Sequence, residues 1–195
     1  MGNPKAISDR RMGPPGSETW HAMLDGAEDI LREEGHAQLT SRRIAERVGV
    51  KQRLVYYYFR TMDDLIVELF RRSNNRELER LREASRSEQP LREIWNINVG
   101  STDARLISEF MTLANRIDEM KQEVIRFIEV SRSIEVEAIA AAMTRKGASN
   151  RISPSALALI AASVALLVSR EEQLGVRTGH DDLFTILEEF LSSLE

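Results

Sequence analysis

Apolar side chains in this chain recur every three or four residues, and nowhere do they alternate with polar ones for longer than chance. That spacing admits amphipathic helices and gives no basis for a sheet. The first stretch reads Trp20, Met23, Leu24, Ala27, Ile30 and Leu31 before Gly35, with Ser17 and Thr19 as candidate N-caps. A short helix follows Thr40 and Ser41, with Ile44, Ala45 and Val48 inward, and Gly49-Val50 breaks it. Another runs from about Gln52 to Phe59, and Thr61 caps a long one through Leu81. Later segments stop at Gly100 and Gly147, Ser101 or Thr102 offers a cap, and Ser153-Pro154 opens a very apolar helix. Asp181 can cap the last. The reading is all-α, about nine helices in 195 residues, with only 10 Gly and 5 Pro. A chain of this length supports one domain, or a small one joined to a larger one.

Composition removes whole classes of chemistry. There is no cysteine, so disulfides, thiol nucleophiles and Cys-ligated metals are excluded. The three histidines, His21, His36 and His180, are far apart in sequence. No P-loop, G-x-S-x-G or H-E-x-x-H motif occurs. We therefore expect no metal, no cofactor and no enzymatic activity. The N-terminus lacks the apolar core of a signal peptide. The longest mainly apolar run, Ala156–Val168, is 13 residues, against about 20 for a bilayer span. The expectation is a soluble, cytoplasmic protein with no membrane partner.

Charge is uneven along the chain. The whole is −4, yet Arg42, Arg43, Arg47, Lys51, Arg53 and Arg60 face only Glu46 between Thr40 and Arg60, a net +5. From Ser73 onward, 15 basic residues meet 20 acidic ones. A compact basic patch on an acidic protein suits a local polyanion contact. The patch coincides with a helix-turn-helix pattern: Ser41–Val48, the turn Gly49–Lys51, and Gln52–Phe59. Gln52 can pair with adenine and Arg53 with guanine, while Tyr56 and Tyr57 can reach a phosphate or a base. Thr40, Arg42, Arg43 and Lys51 can grip the backbone on either side.

These residues resemble the DNA-binding domain of the tetracycline-repressor family of transcriptional regulators. M-L-D-G-A-E-D-I-L-R-E-E-G runs from Met23 to Gly35, L-T-S-R-R-I-A-E-R-V-G-V from Leu39 to Val50, and L-V-Y-Y-Y-F from Leu54 to Phe59. They are similar, in register and without gaps, to the family's I-L-x-A-A-x-x-L-F-x-x-x-G and T-x-x-x-I-A-x-x-A-G-V-S-x-G-x-L-Y-x-H-F. There are departures: Lys51 replaces the usual Ser, Arg53 the Gly, Leu54 the Thr or Ser, Tyr58 the His, and Met62 a Lys. They bear on which operator is read, because Gln52, Arg53 and Leu54 lie where base discrimination is expected.

The resemblance implies an N-terminal three-helix reader followed by a helical bundle for ligand binding and dimerisation. On that reading residues 1–17 form a flexible arm, 18–64 the reader, and 65–195 the bundle. Phe70, Trp95, Asn98, Phe110, Met111, Ala114, Phe127 and Ser131 could line a pocket for a mostly apolar effector. Leu159, Val164, Leu166 and Leu167, with Phe184, Leu187, Phe190 and Leu191, could form a homodimer interface, since a helix apolar all round must be buried. The expected partners are double-stranded DNA, a small-molecule effector and a second copy. Two other readings stay open. One is an architectural DNA binder without an effector. The other is an all-α enzyme, which would need converging carboxylates such as Glu109 and Glu123.

Overall fold

The computed structural model describes residues 13–100, 104–147 and 152–194. The proposed arm up to residue 12 and the Ser101 and Thr102 caps lie outside them. Among the described residues there are nine α-helices, one short 3-10 turn and no strand. The chain forms two compact units, one ending at Phe70 and the other beginning at Arg71.

The first unit holds α1 (Glu18–Glu34), α2 (Ser41–Val48), α3 (Gln52–Tyr58) and the start of α4 (Met62–Ser85). Each boundary has a local cause. The Ser17 hydroxyl accepts from Trp20 N at 3.3 Å and starts α1. Thr40 does the same for α2, accepting from Arg43 N at 3.2 Å. At α4, Thr61 and Asp64 satisfy each other's backbone N–H at 3.0 and 3.1 Å, a reciprocal capping box. Gly49 ends α2 at φ 74°, and Val50 N–H returns to Ala45 O at 2.9 Å. Only glycine takes that left-handed turn without strain. Met23, Leu24, Ile30 and Leu31 of α1 close on Ile44, Val55 and Leu65, all within 1 % of fully buried. The Trp20 ring stacks on Phe59, centroids 6.1 Å apart, and both are buried.

The second unit contains the rest of α4, then α5 (Pro90–Gly100), α6 (Ala104–Ala114), α7 (Asp118–Lys146), α8 (Pro154–Gln173) and α9 (His180–Leu194). Helix α7 packs along α8, and α5 lies against both. Leu81, Leu91, Ile94, Trp95, Ala138, Ala142, Met143, Ala165 and Leu191 form the core there. Small residues on α7 and α8 let these helices approach closely. The Ser153 hydroxyl caps α8 on Ala156 N at 3.1 Å, with Pro154 in the first turn. Helix α8 has the length and apolar composition to cross a bilayer, unlike the shorter run counted from sequence. Here it packs in a helical bundle.

Candidate DNA-reading face and effector cavity

The buried side of α2 packs on α1 and that of α3 on α2, which leaves one face of α3 exposed. Lys51, Gln52, Arg53, Tyr56 and Tyr57 are all exposed on it. A hydrogen-bonded chain ties this face to α2. Gln52 Nε2 donates to Ser41 Oγ at 2.9 Å, and Ser41 Oγ donates to Tyr56 Oη at 3.0 Å. The phenolic proton of Tyr56 is therefore left to point elsewhere, and Ser41 itself is buried. No ion pair or hydrogen bond holds the Lys51 or Arg53 head group among the described residues. Lys51 opens α3 with no side-chain cap.

The arginines of α2 divide. Arg42 is exposed and pairs with Glu46, one turn on, at 2.9 Å. Arg43 is clamped by α1: its Nε and Nη2 donate to the Glu34 carboxylate at 3.0 and 2.7 Å. Arg47 completes the clamp on Glu33 and Glu34 at 2.9 and 2.7 Å. The Arg43 hydrogen bonds hold the Glu34 carboxyl below its ordinary value, against an opposing effect of burial. Arg43 was expected to grip a phosphate. In this structure its guanidinium joins α1 to α2, and a phosphate would have to displace a bidentate carboxylate. Thr40 is exposed while its hydroxyl caps α2. One contact had no sequence signal: Gly13 N–H donates to Tyr57 O at 2.9 Å, and a Cβ at 13 would overlap the Tyr58 ring.

The second unit contains a cavity of about 270 Å³ between α5, α7, α8 and α9. Trp95, Ile139, Leu157, Ala161 and Val164 are among its apolar walls, and Ile160, Ile186 and Phe190 edge it. Its two polar residues are Asn98 and Glu135. Asn98 Nδ2 donates to Glu135 Oε1 at 3.1 Å. Glu135 is 7 % exposed, and burial pushes its carboxyl above the ordinary value despite Asn98 and the nearby Arg132.

Of the residues expected in a pocket, Trp95 and Asn98 line this cavity. The others do not. Phe70 is buried in the first unit. Phe110 and Ala114 are buried, Met111 is exposed, and Phe127 and Ser131 are half-buried on α7. Apolar periodicity marks an inward face and does not distinguish close packing from a void. Glu135 was missed, although it shares the α7 face of Ala138, Ile139 and Ala142 by helical spacing. A carboxylate among small apolar residues was the available signal. Glu123, named from sequence as part of a possible acid pair, is bound by Arg71 at 2.8 Å and by Arg126. No cluster of metal-ligating residues occurs among the described residues.

The residues expected at a dimer interface also divide. Leu159, Leu166, Leu167 and Phe190 are exposed on α8 and α9. Val164, Phe184 and Leu187 are half-buried against the unit's own core, and Leu191 is inside it.

The described residues thus form a helix-turn-helix with a donor-rich outer face, followed in the chain by an all-helical bundle. Residues 23–69 match the family described as bacterial regulatory proteins, tetR family. A fatty acid metabolism regulator protein of Bacillus subtilis (strain 168) is 30 % identical over 61 residues, 31 % of each chain. The chain thus matches about a third of that relative's length. Two solved structures share the fold. A transcriptional regulator from Saccharomonospora viridis in complex with choline is 14 % identical, with TM-score 0.76, over 88 % of this chain and 94 % of that one. The regulator FadR of Bacillus subtilis in complex with stearoyl-CoA is 16 % identical, with TM-score 0.64, over 90 % and 97 %.

Proposed function

We propose that this regulator is a cytoplasmic homodimeric repressor, without enzymatic activity, that binds a palindromic operator and releases it when a small organic molecule enters the cavity of the second unit. The reader carries the first half of this reading. Lys51, Gln52, Arg53, Tyr56 and Tyr57 stand exposed on a short helix whose other side is locked by Val55 and Phe59. One helix of seven residues reads few base pairs, so two-fold pairing on a palindrome supplies the missing contacts. Thr40, Arg42, Lys51 and Tyr57 serve the phosphates, and Gln52, Arg53 and Tyr56 the base edges.

The exposed leucines of α8 support the dimer. Leu159, Leu166 and Leu167, with Phe190 of α9, form an apolar face of the kind that pairs with a second copy. The cavity favours a ligand-responsive regulator over an architectural DNA binder, which has no use for one. Regulators of the same fold are found in complex with choline or stearoyl-CoA, so a response to an organic ligand is in keeping with the fold. A ligand that binds the DNA-free state better shifts the population away from the operator by its coupling energy, typically about 1–3 kcal/mol.

The test begins with selection of the preferred duplex from a random pool, followed by anisotropy titration with and without stabilising compounds. A palindromic consensus, released by a compound that raises the melting temperature, is the expected result. A non-palindromic or absent preference overturns the operator assignment. Stabilising compounds that never alter operator affinity overturn the switch.

A further inference from the structure

We propose that the Glu135–Asn98 pair selects a compact apolar molecule bearing a protonated amine as the occupant of the cavity. The inference rests on the ligand-responsive reading above and adds the chemical class of the ligand.

Three observations carry it. First, the cavity wall is apolar except at one place, and that place is acidic: among the described residues Asn98 and Glu135 are its only polar ones, and no Lys, Arg or His lines it. Second, the acid has spare capacity. An ionised carboxylate offers about four acceptor sites. Glu135 receives one hydrogen bond, from Asn98 at 3.1 Å. Arg132 Nη1 forms a long ion pair with its other oxygen at 4.0 Å, too far for a hydrogen bond, so acceptor sites on both oxygens stay open. A carboxylate 7 % exposed, with one hydrogen bond and one long ion pair, gains from each further donor that reaches it. Third, size limits the guest. About 270 Å³ lies just below the usual range of about 300–1,000 Å³ for small-molecule sites.

An ammonium group meets all three. It has three donors and no acceptor, and its charge compensates the buried acid. A fatty acid or acyl-CoA would instead bring its own negative charge beside Glu135 and find no cation on the wall to receive it. A neutral alcohol can donate one hydrogen bond but adds no positive charge to the distant Arg132. Apolar contacts with Trp95, Ile139, Leu157 and Leu187 would then hold the hydrocarbon part.

The experiment compares n-octylamine, 1-octanol and octanoate on the full-length protein by isothermal titration calorimetry at neutral pH. The three probes share one chain and differ in head group. The expected result is octylamine at least tenfold tighter than either other probe, with that preference falling to less than threefold in Glu135→Gln. Circular dichroism confirms that the variant is folded. The wild-type comparison needs no variant, so a misfolded Glu135→Gln does not rescue the idea. A wild-type preference below tenfold, or octanoate as the tightest probe, overturns the amine inference and leaves the ligand-responsive reading standing. An amine preference that persists in folded Glu135→Gln removes Glu135 from the role. If none of the three binds at millimolar concentration, the cavity is not a ligand site, and both readings fail.

Discussion

The side-chain amide of Gln52 is already spent: its Nε2 donates to Ser41 Oγ at 2.9 Å, and the same hydroxyl continues to Tyr56. A base edge that engages Gln52 must compete with this internal partner or use the remaining amide atoms. Arg53, next along the chain, carries no such commitment. Direct readout by Arg53 and indirect control by Ser41 are therefore separable.

Arg53→Ala should cost about 1–3 kcal/mol on the preferred site and little on other duplexes. Ser41→Ala should keep general DNA affinity and relax the preference at the position read by Gln52, because both Gln52 and Tyr56 lose their anchor. Competition binding on a panel of single-base operator variants separates the two. An unchanged preference in a folded Ser41→Ala protein would show that the anchor does not set specificity.

The basic patch is smaller in effect than its count of arginines. Arg43 and Arg47 are neutralised by Glu33 and Glu34, whereas Lys51 and Arg53 project freely from α3. Lys51→Ala should lower the slope of log affinity against log salt by about one unit. Arg43→Ala should leave that slope nearly unchanged and lower the melting temperature, because it opens the α1–α2 clamp. A salt series by anisotropy, run beside thermal melts, tests both. An equal fall in slope for the two variants would place Arg43 on the phosphates after all.

Two carboxylates should give opposite pH signatures. The Glu34 carboxyl is held low by Arg43, so the folded state keeps it ionised more readily than the unfolded chain does. Its stabilisation is present above the ordinary carboxylate range and is lost as pH falls through the folded value. Glu135 is pushed up, so the folded state binds the extra proton. Its contribution is greatest below the ordinary range and declines as pH rises toward the folded value. Glu34→Gln should flatten the acid limb of a urea-stability profile. Glu135→Gln should remove a loss of stability that sets in above the ordinary carboxylate range. Identical profiles for wild type and both variants would refute these assignments.

Leu166 and Leu167 are 44 % and 45 % exposed in the single chain, so a charge there leaves the protomer's own packing intact. Leu166→Glu should split the proposed homodimer, because it would bury an unpaired charge in an apolar face. It should also weaken operator binding. Sedimentation velocity at micromolar concentration reads the first effect and anisotropy the second. A wild-type protein that sediments as a monomer excludes the interface.

The helices and the reader were legible because their signals are local. Thr40, Gly49 and Thr61 act on backbone groups within a few residues, and α2 runs from Ser41 to Val48 as its cap and glycine dictate. The Arg43 clamp was not legible, since its partner Glu34 sits on another helix and meets it only through the fold. Nor was the cavity. Phe110 and Trp95 have the same apolar spacing, yet one fills space in α6 and the other borders a void. Voids arise from the misfit of several helices, which no single periodicity records. The Glu135–Asn98 pair joins residues 37 positions apart, and only Asn98 carried a polar signal strong enough to be noticed.

The chain has two tryptophans, and they fall one to each unit: Trp20 stacked on Phe59 in the reader, and Trp95 on the cavity wall. Each is therefore a built-in optical reporter for a different event. In a Trp20→Phe protein the remaining emission comes from the cavity alone, and in a Trp95→Phe protein from the reader alone. Ligand entry and operator engagement can then be timed separately in the two variants under matched conditions, without a dye, and comparing the two time courses tells which event leads.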